Sequence, residues 1–196
     1  MTVAKSVDAH FILFLPLSRT PWLFFSCFYY SSYDHVAKMD FLHNSVKESL
    51  RMYPPLIMLM RKAKVDVKVK AEKPAPDGRT EWVIPKGDIV FTSPAVAGRL
   101  PSVWTKPDSF DPDRFVKQED GGREEDKGSF KHLGFGGGMH GCLGQQFGYL
   151  QVKAIMATLL RLYEIEPLGP LPQPDYEAMV VGPKGSPMVR FKRRKP

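Results

Sequence analysis

The chain has 196 residues, of which 43% are hydrophobic, so it is long enough for one domain with a buried core and too short to suggest several. Its formal net charge is +7, and it contains two cysteines, Cys27 and Cys142. Two isolated cysteines exclude a disulfide framework and a paired-cysteine zinc site, and they fit a reducing compartment. The basic residues 191–196 would suit acidic protein, anionic lipid or nucleic acid; we interpret them as a solvated tail and expect no nucleic-acid partner.

Residues 11–30 are strongly apolar, but Ser18-Arg19-Thr20-Pro21 interrupts them. A helix that spans a membrane usually needs about 20 uninterrupted apolar residues, so this segment is a poor anchor. A convincing cleavage site for a signal peptide is also missing. Residues 1–33 are therefore unassigned.

Two helices are predicted from apolar periodicity. The first is expected from Met39 to the helix-breaking Pro54, with one apolar face. The second follows Gly144 and lasts to about Tyr163. Together with the strands below, they predict a mixed α and β fold that is mainly α.

Three short strands in a small sheet are predicted between the helices. Residues 65–70 alternate with period two, and residues 82–84 and 89–91 flank a Pro-Lys-Gly-Asp turn. After the second helix, residues 179–181 and 188–191 are predicted to pair as a terminal hairpin.

Residues 101–142 show little periodicity and form a long irregular stretch, which in a compact domain is generally functional or disordered. Within it, residues 118–127 are predicted to be a solvated surface loop. Near its end, Phe135 to Gly144 place Cys142 in a glycine-rich loop just before the second helix. Helix N-terminal amides stabilise an anion, and glycines let a backbone approach a flat cofactor closely.

A thiolate in such a loop suits the axial position of a haem iron, where it donates electron density and promotes cleavage of the oxygen–oxygen bond. Two alternatives are open. A lone cysteine is more often a small buried apolar residue. Gly136, Gly138 and Gly141 also have the spacing of a dinucleotide-binding loop, with Glu164 about 20 residues onward as a ribose ligand. That motif requires an apolar strand directly before it, and residues 128–134 are not apolar enough to form one.

A second group of residues is predicted to be structural. Glu48 and Arg51 are three apart on the first helix, so their side chains share a face. Arg114 lies in a proline-containing turn, and a carboxylate can accept the planar forks of two guanidiniums, a geometry that lysine cannot reproduce. We expect Glu48, Arg51 and Arg114 to form a network that supports the irregular stretch and is not catalytic.

Glu48-Ser49-Leu50-Arg51, Pro112-Asp113-Arg114-Phe115 and Phe135 to Gly144, in this order, together resemble the cytochrome P450 superfamily. Asp113 stands where glutamate is usual, and His140 stands where arginine is commoner. The resemblance implies that residues 34–196 are the C-terminal part of the cytochrome P450 fold, with its K and L helices, small β-sheet, meander, cysteine loop and terminal hairpin. It also implies haem b with Cys142 as the axial iron ligand.

Within the superfamily, Phe41-Leu42-His43-Asn44, Pro54 to Arg61, His140 and Met188 to Arg194 are similar to sterol 14α-demethylases. The similarity implies that the complete enzyme is a monooxygenase that removes the sterol 14α-methyl group oxidatively. An NADPH-dependent flavoprotein reductase would supply the electrons, and the endoplasmic reticulum membrane would be the location of the complete protein.

The same resemblance implies roles for individual residues. Arg61 and His140 would bind the haem propionates, and Phe135, Gly136 and Gly144 would surround the haem. Lys127, Lys131 and Lys153 would form a basic face for the reductase, although solvated lysines explain them as well. The sterol pocket would be lined by Leu56, Ile57, Met58, Leu59, Met60, Met179 and Val180, which ordinary core packing explains almost equally well.

Residues 1–33 resemble no part of the family, whose oxygen-activating helix and substrate-covering regions precede the matched part. The chain is therefore expected to be a fragment. Its function would be that of the monooxygenase in complete form or, alternatively, that of a truncated, non-catalytic fragment that retains part of the haem site.

Overall fold

The computed structural model describes residues 32–71, 74–116, 131–178 and 180–195. These residues fall into two compact units. The first contains the described residues of Met1–Ile57 and Pro94–Pro196, and the second contains those of Met58–Ser93.

Both predicted helices are confirmed in the first unit. Helix α2 is Asp40–Met52, and helix α4 is Gln145–Leu162. Two further helices, α1 (Tyr33–Ala37) and α3 (Pro94–Ala97), were not predicted, because one or two turns are too short to show an apolar period. Among the described residues, no helix combines the length and the apolar character that crossing a membrane requires.

The core of the first unit lies between α2 and α4. One cluster joins Leu42 of α2 to Met156 and Ala157 of α4. A second joins Val46 and Leu50 of α2 to Tyr149 of α4, with Phe135 of the cysteine loop against it. Residues 42, 46 and 50 recur every four positions, so they form one stripe along α2.

The second unit consists of four strands in two antiparallel pairs. Strand β1 (Leu59–Lys62) pairs with β4 (Ile89–Thr92), and β2 (Val67–Lys70) pairs with β3 (Glu81–Ile84). The three predicted strands are therefore present, but the single sheet is replaced by two pairs. Strand β1 was missed because Leu-Met-Arg-Lys contains neither alternation nor β-branched residues.

The predicted terminal hairpin is wrong in its pairing. Strand β8 (Val189–Arg193) pairs with β5 (Tyr163–Pro167), which continues directly from α4, and the short β6 (Pro174–Asp175) pairs with β7 (Gly182–Pro183). Charge and packing favour β5 as the partner of β8. Arg190 donates to Glu166 at 2.8 Å, Lys192 lies 3.6 Å from Glu164, and the rings of Tyr163 and Phe191 meet edge to face.

The core between α2 and α4 predicts a large effect for Leu42→Ala. Leu42 is 4% exposed, so its truncation removes packing from both helices and should lower the free energy of unfolding by about 2–5 kcal/mol. Urea denaturation followed by circular dichroism would measure it. The matched control is Leu171→Ala, since Leu171 is 51% exposed; a similar loss in both variants would contradict this assignment of the core.

Candidate functional site

The structure brings Glu48, Arg51 and Arg114 together in the interior of the first unit. The Glu48 carboxylate accepts two hydrogen bonds from Arg51, at 2.7 and 2.8 Å, and one from Nε of Arg114 at 3.0 Å. It also accepts the backbone N–H of Asp111 at 2.9 Å. The Glu48 side chain is completely buried, so its charge is compensated by these donors rather than by water.

The guanidiniums of Arg51 and Arg114 also donate to backbone carbonyls. Both donate to the backbone carbonyl of Ser109 at 3.3 Å, and Arg114 also donates to that of Thr105 at 2.9 Å. The indole of Trp104, which is 1% exposed, lies beside both cations, with centroid distances of 5.5 and 6.0 Å. The network therefore fixes the backbone of an irregular segment that has no ladder of its own.

Sequence reasoning missed a close approach at Gly98. Its carbonyl accepts a hydrogen bond from Arg51, and a Cβ at this position would lie 2.3 Å from the Arg51 carbonyl oxygen. Any other residue would push α3 away from α2. A lone glycine beside a short helix gives no sequence signal for this contact.

Glu48→Gln tests the network with little change of shape. Two buried guanidiniums would lose their counter-charge, so the free energy of unfolding should fall by about 3–5 kcal/mol. The control is Glu166→Gln, which breaks the exposed pair with Arg190 and should cost less than about 1 kcal/mol. Equal losses in the two variants, measured by urea denaturation, would show that the Glu48 charge has no special role.

The cysteine loop reverses the chain between Phe135 and α4. Gly136 and Gly138 have φ values of +73° and +62°, a region that favours glycine. The loop is closed by the N–H of Cys142, which donates to the Phe135 carbonyl at 2.9 Å, and by that of Gly141, which donates to Gly138 at 3.1 Å. The backbone shape is thus held by internal hydrogen bonds rather than by side chains.

The thiol of Cys142 is free and exposed, so the interpretation as a buried apolar residue is wrong. Leu143 and Phe147 beside it are also exposed, the first completely and the second by 68%. An open thiol next to an apolar surface fits a flat, apolar cofactor. The base of the loop is buried, because Phe135 packs against Tyr149 with ring centroids 5.1 Å apart.

The dinucleotide interpretation is not supported. Residues 131–135 form no strand before Gly136, and every paired strand in the described ranges is antiparallel. Glu164, the expected ribose ligand, lies opposite Lys192 in the β5–β8 pair. The motif requires an apolar strand before the glycines and a carboxylate that is free to bind ribose. The described residues around Gly136 and Glu164 provide neither.

The remaining predicted site residues are distributed over both units. His140 is exposed at the end of the 3₁₀ turn Gly138–His140. Arg61 belongs to the second unit, where its exposed guanidinium donates to the carbonyl of Met60 at 2.8 Å.

The predicted sterol contacts also lie in both units. In the first unit, the N–H of Val181 donates to the Pro55 carbonyl at 3.0 Å, which brings the segments of Leu56 and Val180 together. Four predicted sterol contacts are exposed, namely Leu56, Met58, Met60 and Val180, and Met179 lies outside the described residues.

The predicted basic face is wrong for one of its three lysines. Lys153 is 5% exposed, and its ammonium donates to the carbonyl of Ala37 at the end of α1 at 2.8 Å. Lys131 is half-buried, and Lys127 lies outside the described residues. The position of Lys153 between apolar residues of α4 would have indicated burial.

Burial lowers the pKa of Lys153, and attraction to Asp40 partly offsets that effect. The folded state therefore releases this proton at a lower pH than the unfolded state, which holds more protons between the two pKa values. Stability should rise with pH across that interval, up to the ordinary lysine pKa of about 10.4. Relative to Lys153→Met, the wild-type chain should gain stability as the pH rises there, as measured by denaturation at several pH values. Lys64→Met, at an exposed lysine, is the control. Parallel curves of stability against pH for the wild type and Lys153→Met would contradict the lowered pKa of Lys153.

In the ranges that the structure covers, His, Cys, Asp and Glu form no group of three that could hold an ion.

A sequence model of the cytochrome P450 family matches residues 30–191. This chain belongs to that family. The cytochrome P450 chain is 53% identical to a sterol 14-demethylase of Arabidopsis thaliana. The alignment of 164 residues covers 83% of this chain and 32% of that protein. It is 53% identical to an obtusifoliol 14-alpha demethylase of Triticum aestivum and 35% identical to a lanosterol 14-alpha demethylase of Bos taurus, again over 83% of this chain and over 34% and 30% of theirs. The chain thus spans about a third of the length of these curated relatives.

The cofactor of the cytochrome P450 family is haem with an axial thiolate. Cys142 fits this cofactor, because it is the one cysteine in the described part of the chain, its thiol is exposed, and position 144 beside it is a glycine without a side chain. A Cβ on Gly144 would lie 3.8 Å from the Cys142 sulfur.

Proposed function

We propose that this chain carries the haem-thiolate site of a monooxygenase of the sterol 14α-demethylase type. The exposed thiol of Cys142, in a glycine loop whose base is packed against α2 and α4, is the observation that carries the proposal. In this assignment α2 is the K helix, α4 is the L helix, and the segment around Arg114 is the meander.

The chain's own residues would act by binding and orienting the cofactor. Cys142 would be the iron ligand, and glycines at positions 136 and 138, where φ is positive, would add no side chains between the loop and the porphyrin. Bound haem supplies the activation of dioxygen, which the axial thiolate favours by donating electron density. Arg61 and His140 each offer a donor suited to a propionate carboxylate.

The substrate proposed is a sterol, because the names of the similar proteins are those of sterol 14-demethylases. Leu56 and Val180, held near each other by the bond between Val181 and Pro55, offer an apolar surface of the kind that such a ligand needs. Met58, Met60 and Met179 are kept as candidate contacts on sequence grounds. An NADPH-dependent flavoprotein reductase and the endoplasmic reticulum membrane belong to the same proposal.

A non-catalytic role of this 196-residue chain is the second candidate. The chain spans about a third of the length of its relatives, and Cys142, Leu143 and Phe147 are open to solvent in the structure. The described residues would not shield a cofactor at this loop from water, and exclusion of water favours oxidation of an apolar substrate.

Haem titration of the 196-residue chain distinguishes these possibilities. We expect haem to bind with a thiolate-type carbon monoxide spectrum that Cys142→Ser abolishes and the control Cys27→Ser retains. Sterol turnover with an added reductase should be undetectable for the chain alone, because the site is open. A spectrum unaffected by Cys142→Ser would contradict the ligand assignment, and measurable demethylation would contradict the non-catalytic candidate.

A further inference from the structure

His132 lies where three parts of the first unit meet. Its Nε2 is 2.9 Å from the backbone carbonyl oxygen of Lys47 in α2. Its ring meets that of Phe115 edge to face, with centroids 5.7 Å apart and planes at 89°. Along the chain, it precedes Phe135 by three residues, and the Phe135 carbonyl is the acceptor of the Cys142 amide.

The contacts of His132 with Lys47 and Phe115 are next to members of the buried network. Lys47 directly precedes Glu48, so the carbonyl that His132 contacts belongs to the peptide group from which Glu48 extends. Phe115 directly follows Arg114 in the 3₁₀ turn Pro112–Phe115. His132 therefore contacts the Lys47 carbonyl, which adjoins Glu48, and the Phe115 ring, which adjoins Arg114.

The chemistry of the contact fixes the proton on one ring nitrogen. A backbone carbonyl can only accept, so Nε2 of His132 must carry a hydrogen and donate it to Lys47. This holds for the neutral ring with its proton on Nε2 and for the imidazolium. The contact is thus a directed hydrogen bond combined with ring packing, which together restrict both side-chain torsions.

The backbone that follows His132 is held tightly against α2. A Cβ on Gly134 would lie 2.8 Å from the Cβ of Leu50 and 3.0 Å from Cε1 of His132. Glycine is therefore required between the imidazole and the helix, and the ring limits how far this strip of chain can move. Phe135 and the carbonyl that accepts the Cys142 amide come next.

From these contacts we propose that His132 is a positioning residue for the thiolate loop: it ties the loop to α2 beside the buried network and so sets where Cys142 stands. The proposal rests on the proposed role of Cys142 as iron ligand. Its structural part, the placing of the loop, exists with or without haem, so it can be tested separately.

Two substitutions separate the hydrogen bond from the ring. His132→Phe keeps a ring against Phe115 and removes the donor, whereas His132→Gln restores an N–H donor at about the position of Nε2. The local probe is hydrogen exchange of the Cys142 amide, and the internal reference is the Tyr53 amide, which donates to Ser49 at 2.8 Å at the end of α2.

In the haem-free chain, His132→Phe should speed exchange of the Cys142 amide about tenfold, the factor that one ordinary hydrogen bond represents, with little change at Tyr53. His132→Gln should return it towards the wild-type rate. The matched control His35→Phe, at an exposed histidine of α1, should change neither amide. Equal acceleration at both amides would indicate only general destabilisation and would overturn the proposal, as would an unchanged Cys142 amide.

The haem-loaded chain gives a second readout. His132→Phe should lower the fraction of thiolate-type carbon monoxide complex, and His132→Gln should restore it. A wild-type chain without any thiolate spectrum would refute the proposed function and leave the exchange result to decide on His132. If His132→Phe does not fold, the imidazole nitrogen resonances of the wild-type chain decide: a proton on Nε2 supports the contact, and an unprotonated Nε2 overturns it.

Discussion

The buried carboxylate of Glu48 is the interaction on which the first unit depends. One negative charge without water must be matched by donors, and Arg51, Arg114 and the Asp111 amide provide them. The two arginines bring an excess positive charge into the interior, which the carbonyls of Ser109 and Thr105 offset. Removal of any one partner leaves the others buried and incompletely paired, so the geometry of the network depends on all of its members.

Helix α2 passes this constraint to the cysteine loop because it is buried on two opposite sides. At 3.6 residues per turn, positions 42, 46 and 50 lie roughly opposite positions 48 and 51. One side packs against α4 and the base of the loop, and the other holds the irregular segment through Glu48 and Arg51. The helix is therefore fixed in rotation, and the loop that rests on it has a defined position.

The sequence predicts well what local chemistry decides. Apolar periodicity located α2 and α4, because each helix has to bury one stripe. Alternation located β2, and apolar runs on either side of a turn located β3 and β4. Spacing placed Glu48 beside Arg51. Arg114 lies 66 positions from Glu48, so its choice as the third member depended on its rigid turn and on family resemblance. Strand partners were less predictable. The pairing of β5 with β8 is stabilised by a cross-strand ion pair and a ring pair, which can be recognised only when the register is known.

Residues at which sequence reasoning failed share a physical cause. Lysine is usually a surface residue, but Lys153 shares the buried stripe of α4 with Tyr149 and Met156, and its ammonium donates to a carbonyl at the end of α1. Gly98 and Gly134 are required by backbone that approaches from distant parts of the chain, at Arg51 and Leu50. The two glycine contacts depend on the packed arrangement, and neither periodicity nor composition encodes them.

The same arrangement would suit Cys142 to its proposed role as the haem ligand. A protein that binds an ion directly must converge several ligands, whereas a porphyrin brings its own four nitrogens and needs from the chain one ligand and a flat surface. The loop would meet that need through glycine at positions 136 and 138, where positive φ would strain other residues, and through the packing of Phe135 at its base. Stability is concentrated in α2, α4 and the network beneath, so the exposed side of Cys142 can be left open for a cofactor without weakening the structure that holds it.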